Sequence, residues 1–337
     1  MNRIWIAVVI VFLLAFDGIA KSDITVLDQT GQTVTIPQPV ERLASVYGIG
    51  TFYVYALGAG DRLVTAFYVG VKGLSNASEV MLRWEPRLAD ILSFGDPNVE
   101  ELAASGAQVI LADGARHAAF ADQMINVGIP VVQCLVETPG EMKQAMLLAG
   151  SFLGPDAQAR ANVFIADYDR VFDTVARDLA DLDDEERVRV LFLGTNLTRV
   201  ASGDMFQSHL IAAAGGQSVT SDLLGYWSEV NLEQILLWNP EVIVIPPYGP
   251  VQPTDILDNA DWAAIDAVKA GRVHRMPRVI GPMDTPVPES LLGIVWMAKL
   301  FYPDLVSLDL EVEVTRYYGF YYDFVLTDEE VEYLINQ

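Results

Sequence analysis

Two short stretches of the sequence match without gaps at a constant offset of 133: Asn98-Val99-Glu100-Glu101-Leu102, six residues, then Val109-Ile110, and Asn231-Leu232-Glu233-Gln234-Ile235, six residues, then Val242-Ile243. In each, Asn-x-Glu leads a short helix into a buried strand, so Glu100 and Glu233 stand in helix first turns. There a carboxylate meets the helix dipole and is free to pair with a cation. Other residue types that do chemistry are sparse. His117, His209 and His274 are the only histidines; His209 falls in a run read as helix (Met205 to Ala214) and His274 lies mid-strand, so they do not converge and no metal site is expected. The single cysteine, Cys134, lies in a strand-like run from Pro130 to Val136 and reads as a buried thiol, which excludes a disulfide within the chain. Gly58-Ala59-Gly60 lacks the third glycine of a dinucleotide-binding loop. No convergent acid–base pair is seen, so no catalytic residues and no cofactor are assigned.

These residues need elements to position them. The chain has 337 residues, 52% hydrophobic and 20% charged, which is ample for a large core and suggests two domains. With 21 Lys plus Arg against 45 Asp plus Glu, the formal net charge is -24, so the whole-protein field repels a phosphate backbone and nucleic acid is not an expected partner. At the N-terminus, Arg3, the uncharged apolar run Ile4 to Phe16, and Gly18 and Ala20 as small residues read as an export signal cleaved after Ala20. The run is too short to span a bilayer, and no cysteine follows it to carry a lipid. A soluble extracytoplasmic protein, cut off from ATP and nicotinamide pools, is expected.

Ile24 to Pro37 alternates apolar and polar residues around Gly31, as a hairpin does. Strands read at Leu43–Val46, Leu63–Phe67, Val109–Ala112 and Val131–Val136 alternate with helices at 51–57, 99–105 and 118–127, which implies a mostly parallel sheet covered by helices. From Pro155 to Leu182 the residues Phe164, Tyr168, Val171, Val175, Leu179 and Leu182 recur at steps of three and four. They make one amphipathic helix of roughly 25 residues, nearly 40 Å long, with Asp167, Asp169, Arg170, Asp173, Arg177 and Asp178 largely off the apolar stripe. A second α/β run begins at Val188. The expected division is a signal over 1–20, an N-terminal α/β lobe over 21–155, a linker helix over 156–186 and a C-terminal α/β lobe over 187–337.

The order of several further motifs makes the chain resemble the iron–siderophore and cobalamin class of periplasmic substrate-binding proteins of ABC importers. They are Arg42-Leu43-Ala44-Ser45-Val46, Ala56-Leu57-Gly58-Ala59-Gly60-Asp61-Arg62-Leu63-Val64, Phe94-Gly95 before Asn98, Gly128-Ile129-Pro130-Val131-Val132, Ala213-Ala214-Gly215-Gly216, Trp227 to Ile235, and Asn239-Pro240-Glu241-Val242-Ile243-Val244. The resemblance covers nearly the whole mature chain. It implies two Rossmann-like lobes joined by a single long helix (the class III periplasmic binding protein fold), a non-enzymatic receptor, and a permease with a cytoplasmic ATPase as partner. It also puts permease docking on Glu100 and Glu233. A metal chelate (ferric siderophore, corrinoid or haem) is the implied cargo, with an oxyanion such as molybdate or tungstate as the alternative. A tetrapyrrole metal chelatase and an extracytoplasmic sensor are rivals of other classes.

Loops after the inferred strands should face a cleft between the lobes. They offer Tyr47, Tyr68, Arg116 and His117 from the first lobe, and Asn196, Trp227, Tyr248, Arg278 and Asp284 from the second, with Arg83 and Trp84 in a long loop able to reach inward. The ligand-binding set is therefore Tyr47, Tyr68, Arg83, Trp84, Arg116, Trp227, Tyr248 and Arg278. Its aromatics suit stacking on a planar chelate and its arginines suit an anion. A monomer and a small lobe closure are expected.

Overall fold

The computed structural model describes residues 22–336; the inferred signal segment lies outside them. Ile24–Leu27 and Thr33–Ile36 pair antiparallel as the expected hairpin. The first lobe then holds four parallel strands, Leu43–Ser45, Leu63–Ala66, Val109–Asp113 and Val131–Cys134, whose spatial order is second, first, third, fourth. In the second lobe Arg189–Phe192, Gln217–Ser218, Val242–Ile245 and Val273–Arg275 are also parallel and take the same order. The two lobes are thus one topology used twice, and the Asn-x-Glu helices, Val99–Ala104 and Leu232–Trp238, each lead into the third strand of their own sheet.

The linker helix runs Pro155–Asp178, about 36 Å at 1.5 Å per residue. Its stripe is buried at Ala161, Phe164, Tyr168, Val171 and Val175, as the periodicity requires. Ahead of it the sequence reading missed a 15-residue helix, Pro139–Leu153, which the Thr138/Glu141 capping box starts. Gly154 separates the two with φ of 111°, a conformation that L side chains rarely adopt, and Pro155 starts the linker.

The C-terminal helices reach back across the linker. Leu310–Tyr321 returns to the linker, where Arg170 makes a two-pronged pair with Glu313 at 2.8 and 2.7 Å, and Arg316 and the Tyr321 hydroxyl reach Asp167 at 2.7 and 2.6 Å. Asp167 and Arg170, off the apolar stripe, are therefore half-buried ion-pair partners. Beyond it, Tyr322 lies against Trp84 with ring centroids 4.9 Å apart, and Glu330 pairs with Arg83 at 2.6 Å. The end of the segment 187–337 therefore packs against the first lobe.

Candidate functional site

In open parallel sheets the ligand site lies at the carboxyl ends of the strands, where successive connections leave in opposite directions. In both lobes that point falls between the first and third strands. Tyr47 follows the first strand of the first lobe and Arg116 the third; Gly194 follows the first strand of the second lobe and Tyr248 the third.

Tyr47 precedes the helix Gly48–Ala56, which starts earlier than the sequence suggested because the Gly48-Ile49-Gly50 run is itself helical. A Cβ on Gly48 would sit 2.8 Å from the Val69 nitrogen, so only glycine lets this turn close against the 68–71 loop. Burial, then the neighbouring Asp113 carboxylate, pushes the Tyr47 phenol well above its ordinary range, so it stays a neutral hydrogen-bonding group. Asp113 is buried and accepts from the Ala115 and Arg116 N–H groups at 2.8 and 3.3 Å. The Arg116 side chain is 76% exposed and lies 3.6 Å from Asp113, free to swing toward a ligand. His117 accepts the Asp113 N–H on Nδ1 at 3.1 Å, and burial presses its pKa down, which keeps the ring neutral.

Across the cleft, Trp227 packs so closely on Gly194 that a Cβ there would lie 3.0 Å from the ring, and the Arg199 guanidinium lies 5.7 Å from the ring centroid. The Tyr248 hydroxyl donates to Asp284 Oδ2 at 2.7 Å. Asp284 is fully buried, and burial pushes its carboxyl up to about 6 against the pull of Tyr248, Gln207 and Arg278. Arg278 ties the lobes together: its Nη2 donates to the Val69 carbonyl at 2.7 Å and its Nε to Ile280 at 3.0 Å. A second bridge runs from the exposed Tyr226 hydroxyl to Glu137 Oε1 at 3.3 Å. Burial pushes the Glu137 carboxyl up, the Tyr226 bond opposes this and Asp113 adds to it.

The structure thus brings Tyr47, Arg116, Trp227, Tyr248 and Arg278 to the facing strand ends and takes three residues out of the set. Tyr68 is 4% exposed, with its hydroxyl 2.7 Å from that of Tyr55, inside the first lobe. Trp84 stacks between Tyr55 and Tyr322, with centroids at 4.2 and 4.9 Å. Arg83 pairs with Glu330 and lies 4.9 Å over the Phe324 ring. Arg83 and Trp84 serve the seam with the C-terminal helices, which no local pattern around residues 68–84 announces. Asn196 closes a tight turn by accepting the Thr198 N–H at 2.9 Å. The sequence reading missed Glu137, Gln207 and Tyr226; the pairing of an aromatic with Trp227 after Gly225 was the one available signal.

Glu100 and Glu233 are equivalent in structure. Asn98 and Asn231 cap their helices by accepting the Glu101 and Gln234 N–H groups at 3.0 and 2.8 Å, and each glutamate is the second helical residue and exposed. Because these helices run opposite to their strands, both N-termini lie at the edge of the sheets that carries the cleft. Neither glutamate forms an ion pair among the described residues. Nor is any group of three His, Cys, Asp or Glu placed there to hold a metal ion.

The periplasmic binding protein family model matches residues 43–279. The chain belongs to that family. It is 28% identical over 334 residues to the molybdate-binding protein MolA of Haemophilus influenzae, covering 92% of this chain and 93% of that one. It is also 28% identical over 219 residues to a vitamin B12-binding protein of Yersinia pestis, covering 63% and 72%. A periplasmic solute binding protein of Veillonella parvula superposes with a TM-score of 0.81 at 25% identity, over 94% of this chain and 97% of that one. The resemblance read from the motifs holds, as does the two-lobed α/β fold, and this periplasmic binding protein is the extracytoplasmic substrate-binding component of an ABC transporter. No helix among its described residues is long and apolar enough to cross a membrane.

Proposed function

We propose that this binding protein captures a metal chelate, a ferric siderophore or a corrinoid or haem, between Tyr47 and Arg116 of one lobe and Trp227, Tyr248 and Arg278 of the other, and hands it to its permease. The observation that supports this reading is that Tyr47 and Arg116 stand at the switch point of the first sheet and Tyr248 at that of the second, with Trp227 packed on Gly194 beside it and Arg278 reaching between the lobes. Such rings offer flat apolar contact to a chelate, the exposed Arg116 guanidinium offers forked donors to its acidic rim, and Arg278 adds a positive charge beside the cleft. In this reading Glu100 and Glu233 dock on permease cations, one per lobe, which fixes register more than it adds raw affinity. The protein acts without catalysis, as a monomer freed from its signal after Ala20 and carrying no lipid.

An oxyanion such as molybdate is the second reading. Its support is the molybdate-binding relative, which matches 92% of the chain against 63% for the B12-binding one, together with a cleft narrow enough for Tyr226 to reach Glu137. A thermal-shift panel of ferric siderophores, cobalamin, haem, molybdate and tungstate separates the two. A ligand at about 100 times its Kd adds roughly 2.7 kcal/mol, several degrees in Tm. A shift with a chelate alone supports the first reading. A shift with molybdate or tungstate alone replaces it with the second.

A further inference from the structure

Beneath Tyr248 lies a polar contact that cargo capture does not explain. Gln207, on the helix Phe206–Ala213, and Asp284, on the segment that follows the last strand of the second sheet, are both more than nine-tenths buried. The Gln207 Nε2 donates to Asp284 Oδ2 at 3.4 Å, and the Tyr248 hydroxyl donates to the same oxygen at 2.7 Å. The other oxygen of each group, Asp284 Oδ1 and Gln207 Oε1, is buried and has no donor among the described residues. Two facing groups with one bond made and two acceptors idle are what remains of a cyclic acid–amide pair when its acidic hydrogen is left out: N–H to one carboxyl oxygen, and O–H from the other back to the amide carbonyl.

We infer that Asp284 and Gln207 form a buried proton-binding site under the cleft, with the proton on Asp284 Oδ1 donated to Gln207 Oε1 and the carboxyl acting as a positioning group for Tyr248. An ionised carboxylate here would leave both buried acceptors without a protein donor, whereas one proton satisfies both. The surroundings are consistent with this. Arg278 is the nearby cation, but its Nη2 and Nε are committed to the carbonyls of Val69 and Ile280, and it is shared with the buried Glu289. Tyr248 is neutral, held above its ordinary range by burial and then by Asp284. Burial likewise favours the acid form of Asp284 itself. With Oδ2 accepting from both Tyr248 and Gln207, the Tyr248 hydroxyl is held in one direction, and its remaining lone pairs are what it can offer a cargo.

The site is tested without any ligand, by infrared spectroscopy of the whole mature protein grown with isotope-labelled aspartate and titrated from about pH 4.5 to about pH 8. The expected result is an aspartic-acid carbonyl band that persists above the range where ordinary aspartates have ionised, shifts with the label, and is missing in Asp284→Asn. Because Asn supplies an N–H where the acid supplies an O–H, that variant should match or exceed the wild-type melting temperature at about pH 8, while Asp284→Leu falls below it. If every labelled aspartate titrates in the ordinary range, the inference is overturned, and this measurement on the unsubstituted protein stands even where a variant does not fold. A drop in melting temperature for Asp284→Asn at about pH 8 also overturns it, since it would show that the carboxylate is the form the fold requires.

Discussion

Tyr226 of the second lobe donates its hydroxyl to Glu137 of the first at 3.3 Å, so a residue 54% exposed links the two lobes. In the proposed reading, cargo that reaches Trp227 displaces this bond. A hydrogen bond of this kind contributes about 1 kcal/mol net. Tyr226→Phe should therefore leave Tm nearly unchanged while tightening the affinity for cargo up to about fivefold, as cargo no longer has to displace the bond to Glu137. Titration calorimetry with the ligand identified by the panel checks this. Equal affinities in the two proteins would mean that the bridge does not oppose capture.

Replacing both Glu100 and Glu233 with Ala should abolish uptake into cells and leave cargo affinity intact. Each glutamate is exposed, second in an Asn-capped helix, so its loss costs at most about 1 kcal/mol of dipole interaction. Weakened cargo binding by the purified double variant would move these residues into the pocket and end the docking assignment.

Asp284 and Glu289 share a sign of pH dependence. Burial raises them to about 6 and about 7, above any unfolded carboxylate, so the folded state binds more protons than the unfolded one from about pH 4 up to those values. Their contribution is fully present below the unfolded values near pH 4 and is lost as pH rises through about 6 and about 7, with each group worth on the order of 3 kcal/mol. Asp284→Asn and Glu289→Gln should each flatten the decline in Tm between about pH 5 and pH 8. A decline as steep in the double variant as in the wild type would place its origin elsewhere. A negatively charged cargo seated at Tyr248 should also bind more tightly at the acid end of this window.

Glu313 behaves in the opposite way. Burial works against its charge, but the Arg170 fork and Arg316 hold its carboxyl below the ordinary range. The stability it contributes is present above the unfolded value and is lost as pH falls through the folded one. Arg170→Met should destabilise the protein by about 1–2 kcal/mol at neutral pH, discounted from a fully buried pair because the arginine is 40% exposed. The loss should vanish in strong acid; a pH-independent loss would assign Arg170 a packing role only.

The linker helix, clamped along one side by the Glu313 and Asp167 pairs, should restrict the lobes to a small closure. Solution scattering with saturating ligand should show only a slight decrease in radius of gyration, and a wide compaction would contradict the clamp.

What the sequence made legible was local. The steps of three and four from Phe164 to Val175 set the linker's buried stripe, and the offset of 133 between Asn98 and Asn231 marked a topology used twice. The cleft was legible as far as strand ends could be placed, which brought in Tyr47, Arg116, Trp227, Tyr248 and Arg278. Tyr68, Arg83 and Trp84 have partners elsewhere. An aromatic or an arginine that stacks on cargo looks, by type and spacing, the same as one that meets a neighbouring ring or carboxylate: Tyr68 meets Tyr55, 13 positions away, while Trp84 and Arg83 meet Tyr322 and Glu330, more than 200 positions away. Gln207 was hidden by its helix, where nothing in the periodicity distinguishes a buried amide facing a carboxyl from one facing a carbonyl.

The return of the last helices to the first lobe also dictates an order of events. Until Leu310–Tyr321 and Asp328–Ile335 have emerged, the half of the protein made first lacks Tyr322 against Trp84, Glu330 against Arg83, and both acid–base forks along the linker. A chain threaded N-terminus first through a membrane pore would therefore reach the far side with its leading lobe unfinished, easily drawn through, and would lock only when its final turn arrives.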